Sequence, residues 1–217
     1  HKLLDYARTN EIQSVLLASS LEVYGTITND SKPLTEEAQG FLNPMDVRSS
    51  YPMAKRAAET LCHNYAKEYG THTKVARLAQ TFGAGVTKND NRVFAQFARS
   101  IINGEDIIMH TKGELCRCYC YTTDAIAAML YILLRGKDGE AYNVANETTY
   151  ISIKDMATFL AETFNPKVKV VVELKENMGY SPTTKLRLST NKIQQLGWTP
   201  HYNLQEMFHR LIESLKQ

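Results

Sequence analysis

Short apolar runs alternate with segments of helical period along the whole chain, and this alternation limits the fold more than any other feature. The first helical pattern, through Leu3, Leu4 and Ala7, ends near residue 10. Residues 14–20 (Ser-Val-Leu-Leu-Ala-Ser-Ser) read as a buried strand running into a turn of small residues. A polar loop follows, broken by Pro33, Gly40 and Pro44. Residues 51–69 read as a long helix, with Met53, Ala57, Leu61, Tyr65 and Ala66 near one stripe and no breaker between Pro52 and Gly70. Pro52 suits a first helical turn, where its missing N–H is not needed. A strand is predicted over 74–81, a helix over 92–103 stopped by Gly104, a short strand over 106–110 and an extended stretch over 115–121. Next come a helix over 124–134, capped by Thr122 or Thr123, and a strand over 140–144. Ser152 caps a helix to about residue 164, with Asp155 as its acidic partner. A strand over 168–173, a short helix over 191–196 stopped by Gly197, and a helix over 204–216 complete the pattern. Alternating strands and helices predict an α/β fold with a mainly parallel sheet.

Composition narrows the function classes. The 217 residues suit one large domain or one and a half small ones. With 43% hydrophobic and 22% charged residues, the chain is neither a disordered tail nor a disulfide-dense miniprotein. Lys plus Arg is 25 against 23 for Asp plus Glu, so the clustered basic excess of a nucleic-acid binder is missing and no nucleic-acid partner is expected. The longest apolar-rich run, 125–134, is about half of the ~20 residues that span a bilayer, and no secretory pattern opens the sequence, so no membrane partner is expected. Cys62, Cys116, Cys118 and Cys120 are then read as reduced thiols of a cytoplasmic protein. Alternate cysteines on a strand share a face. Structural zinc sites, however, pair cysteines two to four residues apart and need four ligands. The three clustered cysteines are therefore read as small packed residues, and no metal site is expected.

Chemistry concentrates around Tyr51 and Lys55. At i and i+4 on a helix they share one face. Tyrosine titrates near ~10, too high for acid–base work at neutral pH, and a neighbouring ammonium stabilises the phenolate. Upstream, Ser19 and Ser20 stand at the carboxyl end of a predicted strand, the end that faces the ligand crevice of an open α/β sheet.

Together these segments resemble a known family. Ser-Ser-x-Glu-Val-Tyr-Gly at 19–25, followed by Tyr-x-x-x-Lys-Arg-x-Ala-Glu at 51–59, looks like the extended short-chain dehydrogenase/reductase family, the NAD-dependent epimerases, dehydratases and decarboxylases of nucleotide sugars. Residues 77–83 resemble its Arg-x-x-Asn-x-Tyr-Gly strand end, and 113–124 its Gly-x-x-x-Arg-Asp-Tyr…Asp element. Residues 196–206 resemble its closing Leu-Gly-Trp-x-Pro…Leu-x-Glu. The resemblance implies NAD as cofactor and a nucleoside-diphosphate sugar as substrate. It implies that Ser20 bonds the sugar C4 oxygen, that Tyr51 removes the C4 hydroxyl proton, and that Lys55 holds the nicotinamide ribose. Ser19 and Ala79 would lie on the cofactor side. Gln80, Arg92, Arg117 and Arg187 would lie on the substrate side, with Arg117 at the pyrophosphate.

Departures sharpen the expectation. The resemblance places Glu22 among the catalytic residues with Ser20, Tyr51 and Lys55, and a Glu there matches the dehydratases and uronate decarboxylases better than the simple 4-epimerases. Leu21, however, stands where 4,6-dehydratases have a proton-donating Asp. Residues 55–62 and 89–94 also look decarboxylase-like, so decarboxylation and 4-epimerisation are the leading reactions. Gln80 replaces the usual Asn and Cys118 the usual Asp. No Gly-x-x-Gly-x-x-Gly occurs, and residue 1 already falls within a helical pattern. The expectation is the C-terminal part of a Rossmann-like doubly wound sheet plus a smaller α/β substrate region, without the family's N-terminal NAD-binding part. Residues 1–83, with parts of 115–150, would belong to the dinucleotide half, and 84–217 mainly to the substrate half. The resemblance further implies a homodimer through a helix bundle containing the Tyr51 helix and the first helix. The alternative is a non-catalytic fragment that at most binds nucleotide sugar weakly.

Overall fold

The computed structural model of the chain describes residues 1–175 and 183–217. Strands β1 (Val15–Ser20), β2 (Thr73–Leu78) and β6 (Ala141–Val144) form a parallel sheet in the order β1-β2-β6. Helices α1 (Lys2–Thr9) and α2 (Ser50–Tyr69) cover one face and α4 (Thr122–Arg135) the other. Successive side chains of a strand point to opposite faces, and the core follows that rule. Val75 packs with Leu4, Cys62 and Tyr65 beneath α1 and α2, while its neighbour Ala76 packs with Ala128, Ile132 and Trp198 beneath α4. A strand buried on both faces reads as a continuous apolar run, which is why 14–20 and 74–78 stand out in the sequence.

The rest of the chain builds a second layer. β3 (Gln80–Phe82), β5 (Cys116–Tyr121), β7 (Asn146–Ser152) and β9 (Lys185–Leu186) form a mixed sheet, and β4 (Ile107–Met109) pairs with β8 (Val170–Val172). Helices α3 (Val93–Asn103), α5 (Ile153–Phe164) and α7 (Leu204–Lys216) enclose its core, in which Phe82 stacks on Phe94 at 4.4 Å between ring centroids. The short α6 (Asn191–Gln194) seats Ile193 against the first sheet.

The class is α/β, as the alternation predicts, but three details differ. The strand predicted over 74–81 is two strands in two sheets. β2 ends where Leu78 pairs with Val144, and β3 begins where Gln80 pairs with Tyr119. Ala79 spans the change, its N–H still bonded to the Val144 carbonyl at 2.9 Å. An unbroken side-chain pattern carries no signal for a change of partner. The strands pair mainly in parallel, as expected, with one antiparallel pair, β5 against β7, which has a register irregularity between Arg117 and Tyr119 and brings in a strand the pattern does not show. Both β7 and the two-residue β9 escape the periodicity reading. Finally, neither Thr122 nor Thr123 caps α4. Tyr121 holds the N-cap position with no side-chain hydrogen bond. Asp124 in the first turn is buried, and it accepts the backbone N–H groups of His201 (2.9 Å) and Tyr202 (3.1 Å). With the Trp198 indole N–H donated to the Asp124 carbonyl at 3.1 Å, the Leu-Gly-Trp-x-Pro stretch has a packing role.

Candidate active site

Ser20 is the last residue of β1 and caps a 3₁₀ turn, Leu21–Tyr24, its hydroxyl accepting the backbone N–H of Glu22 at 3.2 Å. Leu21, Val23 and Tyr24 are buried, which leaves Glu22 as the turn's one side chain facing outward. Its carboxylate meets the Arg117 guanidinium of β5 at 2.7 Å. Gly25 ends the turn with φ +69°, a left-handed conformation that glycine adopts without a Cβ penalty.

Tyr51 lies in the first turn of α2 and is 51% exposed, with its ring at the cleft. One turn on, the Lys55 ammonium donates to the Ala18 carbonyl at 2.7 Å and sits 5.7 Å from the centroid of the Tyr51 ring. The helix face is thereby tied to the carboxyl end of β1.

These groups surround a cleft of about 730 Å³. Ser19, Ser20, Glu22, Tyr51, Ala79, Gln80, Arg92 and Arg117 all line it. Lys55 stands behind Tyr51 rather than in the wall. A second cavity of about 430 Å³ shares Gln80 and Arg117 with the first, so these two residues form the neck between them. The buried Arg117 Nε has no hydrogen-bond partner among the described residues, which suits a ligand-facing cation. Arg92 also reaches the cleft, but its guanidinium is held by Asp90 at 2.5 Å. That hydrogen bond keeps the Asp90 carboxyl below the usual carboxylate range. Arg187 is exposed and does not line the cleft.

The sequence reading missed several wall residues. Phe41, Leu42, Asn43 and Asp46 come from the polar loop before α2, and Thr184 and Leu186 from the edge of β9. The loop's position just ahead of Tyr51 was a usable signal, whereas a two-residue strand offers none. Glu59 was also missed as a site residue. It lies at i+8 from Tyr51, on the same helix face as Lys55, and it accepts the Ser19 hydroxyl at 2.5 Å.

The three clustered cysteines lie on β5 with Cys118 and Cys120 buried, and all four cysteines of the chain are free thiols. Burial pushes the Cys118 thiol up to about 12. Among the described residues no group of three or more His, Cys, Asp or Glu could hold a metal ion, and no helix is long and apolar enough to cross a membrane.

Residues 1–145 match the model of the NAD dependent epimerase/dehydratase family. UDP-glucuronic acid decarboxylase 5 of Arabidopsis thaliana is 30% identical over 192 residues, covering 88% of this chain and 54% of that protein. UDP-glucuronic acid decarboxylase 1 of Xenopus tropicalis is 30% identical over 203 residues, covering 94% of this chain and 47% of the other. The chain thus spans about half the length of the curated relatives it matches. Among solved structures, a UDP-glucose 4-epimerase of Thermotoga maritima with UDP-glucose superposes with a TM-score of 0.81 at 23% identity, covering 99% of this chain and 67% of that one. At that identity the likeness establishes the fold.

Proposed function

The chain belongs to the NAD-dependent epimerase/dehydratase family, and on that premise we propose that it carries the catalytic and sugar-binding part of an enzyme acting at C4 of a nucleoside-diphosphate sugar. The observation that carries this reading is the gathering of Ser20, Glu22, Tyr51 and Arg117 at one cleft, with Lys55 directly behind the tyrosine.

NAD, when bound, takes up and returns the C4 hydride. The residues present fit its nicotinamide end: Tyr51, Lys55, Ser19 and Ala79 cluster at the carboxyl ends of β1 and β2, where open α/β sheets bind ligands. The sequence holds no Gly-x-x-Gly-x-x-Gly for the pyrophosphate, so the fit extends to that end alone. Tyr51 takes the proton from the C4 hydroxyl, and the Ser20 hydroxyl orients that oxygen. The Lys55 charge compensates the phenolate. Arg117 binds the pyrophosphate at the neck between the two cavities, in the bidentate manner for which a guanidinium is suited.

UDP-glucuronate is the proposed substrate, on the strength of the decarboxylase relatives and of Glu22. Oxidation at C4 makes the uronate a β-keto acid. The C5–C6 bond then breaks, CO₂ leaves, and the electron pair passes into the C4 carbonyl. The test is to incubate the full-length protein that contains this chain with NAD and UDP-glucuronate and to follow the sugar nucleotide by mass spectrometry. Loss of CO₂ supports decarboxylation. An unchanged mass with inverted C4 points to epimerisation, and no reaction with any nucleotide sugar overturns the enzyme reading.

A second reading rests on the missing Gly-rich turn: the 217-residue chain by itself binds nucleotide sugar without turnover. Calorimetry with NAD separates the two, because micromolar binding to the chain alone removes that reading. The proposal also includes a reducing, cytoplasmic setting, consistent with four free thiols. It includes a homodimer through α1 and α2, which leave Leu3, Tyr6, Met53 and Tyr69 exposed.

A further inference from the structure

A polar layer one residue deep runs from Ser19 in the cleft wall into the sheet. In the first sheet Ser19 pairs with Arg77, and Arg77 with Asn143, across β1, β2 and β6. The next layer, Ser20 opposite Leu78, forms part of the cleft wall itself. Glu59 closes the polar layer from above. Its carboxylate accepts the Ser19 hydroxyl at 2.5 Å and takes a forked pair of bonds from Arg77, 3.1 Å from Nε and 2.7 Å from Nη2. The Arg77 and Glu59 side chains are only 15% and 11% exposed. The remaining arm of Arg77, Nη1, donates to the Tyr24 hydroxyl at 3.1 Å and the Glu36 carbonyl at 2.6 Å. Tyr24 in turn donates to Asn143 at 2.7 Å.

Ser19 directly precedes Ser20, the N-cap of the Leu21–Tyr24 turn, and Tyr24 is the last residue of that turn. One ion pair therefore grips both ends of the turn that presents Ser20 and Glu22. Glu59 also sits on the same face of α2 as Tyr51 and Lys55, two turns along from Tyr51. The helix that carries the tyrosine is thus locked, through Glu59, to the strand end that carries the serine. A neutral hydrogen bond could close the helix onto the sheet. A carboxylate and a guanidinium in forked contact fix direction as well as distance.

Resting on the C4 chemistry proposed above, we propose that Glu59 and Arg77 are positioning residues that set Ser20 and Glu22 against Tyr51. Their effect passes through Ser19 and Tyr24, and neither touches the reacting atoms. Misplacing a catalytic group by about 1 Å can cost about 10²-fold in rate.

The test uses the full-length protein and the variants Glu59→Gln, Ser19→Ala and their double. Expected is a fall in kcat of about 30-fold or more for Glu59→Gln, with KM for the nucleotide sugar within about threefold. Ser19→Ala is expected to fall in the same direction, and the double to be no slower than Glu59→Gln alone, because both act through one contact. In crystal structures of the variants the Ser20–Tyr24 turn is expected to shift relative to Tyr51. A kcat within twofold of wild type, fully multiplicative losses in the double, or an unmoved turn overturns the proposal. Should Glu59→Gln fail to fold, Ser19→Ala, which leaves the ion pair whole, decides by the same measures. A wild-type protein inert toward every nucleotide sugar refutes the functional reading, and the position of the turn then decides this proposal alone.

Discussion

Glu22 and Arg117 form a salt bridge of 2.7 Å across the cleft, joining the turn after β1 to the second sheet. The sequence resemblance gives them separate roles, sugar chemistry for one and pyrophosphate binding for the other. Under the proposed function their contact couples those roles, because the carboxylate assigned to the sugar chemistry also aims the guanidinium. Removing the cation should therefore differ from removing the anion.

Arg117→Met is expected to weaken UDP binding by about 10–100-fold, the value of one charge-assisted hydrogen bond at about 1.5–3 kcal/mol. Glu22→Gln is expected to keep UDP affinity within about threefold while lowering turnover. Calorimetry with UDP and steady-state rates on the full-length protein read both effects. Equal losses of affinity in the two variants would separate Arg117 from the nucleotide.

Tyr51→Phe removes one oxygen from a ring that is half exposed and whose hydroxyl makes no hydrogen bond among the described residues. The thermal midpoint is expected to move little, whereas turnover falls by about 10²–10⁴-fold, the usual worth of a general acid–base group. Unchanged turnover would take Tyr51 out of the proposed mechanism.

The Tyr24 phenol is fully buried, and burial pushes it up to about 12 from an ordinary 10.0. The folded state therefore holds this proton more tightly than the unfolded chain. Its contribution to stability is whole below pH 10 and is lost as the pH climbs toward about 12, at up to about 1.4 kcal/mol per pH unit. Tyr24→Phe lacks this titration. At pH 8 it is expected to be less stable than wild type, having lost the bonds to Arg77 and Asn143. That deficit should narrow between pH 10 and 12. Urea midpoints of both proteins at pH 8 and pH 11.5 check the sign, and a widening gap would contradict it.

Gly40 lies against the turn that carries the site. A Cβ there would meet the Tyr24 carbonyl and come within 2.8 Å of the Thr26 carbonyl, both backbone atoms that cannot swing aside. The same turn is pinned by the isolated antiparallel bridge of Thr26 with Phe41 and by the Arg56 bonds to the carbonyls of Val23 (2.7 Å) and Gly40 (2.8 Å). Gly40→Ala is expected to destabilise the fold by about 1–3 kcal/mol, the range for overpacking a tight site. Denaturant unfolding measures it, and a loss below about 0.5 kcal/mol would show that the loop yields.

Much of the fold is legible locally. The long helix at 50–69, Gly70 and Gly104 as left-handed helix ends, and Ser152 as a cap all appear where the pattern places them, although the helix buries Pro52, Cys62 and Tyr65 and leaves Met53 and Ala57 of the expected stripe exposed. The strand break at Ala79 is not legible, because the side chains continue their pattern while the hydrogen-bond partner changes from β6 to β5. β9 is too short to show any period. In the site, Ser20, Tyr51 and Arg117 are recognisable from their motifs and do share a cleft, whereas Arg187 matches loosely and lies outside it. Glu59 was visible as the next step of the Tyr51–Lys55 face, but its partner Arg77 on β2 was not.

The sequence by itself determined the order and kind of the long elements, the α/β class and the family, because periodicity, caps and motifs depend on residues close together in the chain. Only the tertiary structure decided that Glu22 faces Arg117, that Glu59 joins Ser19 to Arg77, and that β3 leaves the first sheet. Those outcomes depend on which distant strands come to lie side by side. A buried charge needs a partner from whichever element packs against it, and no local pattern names that element.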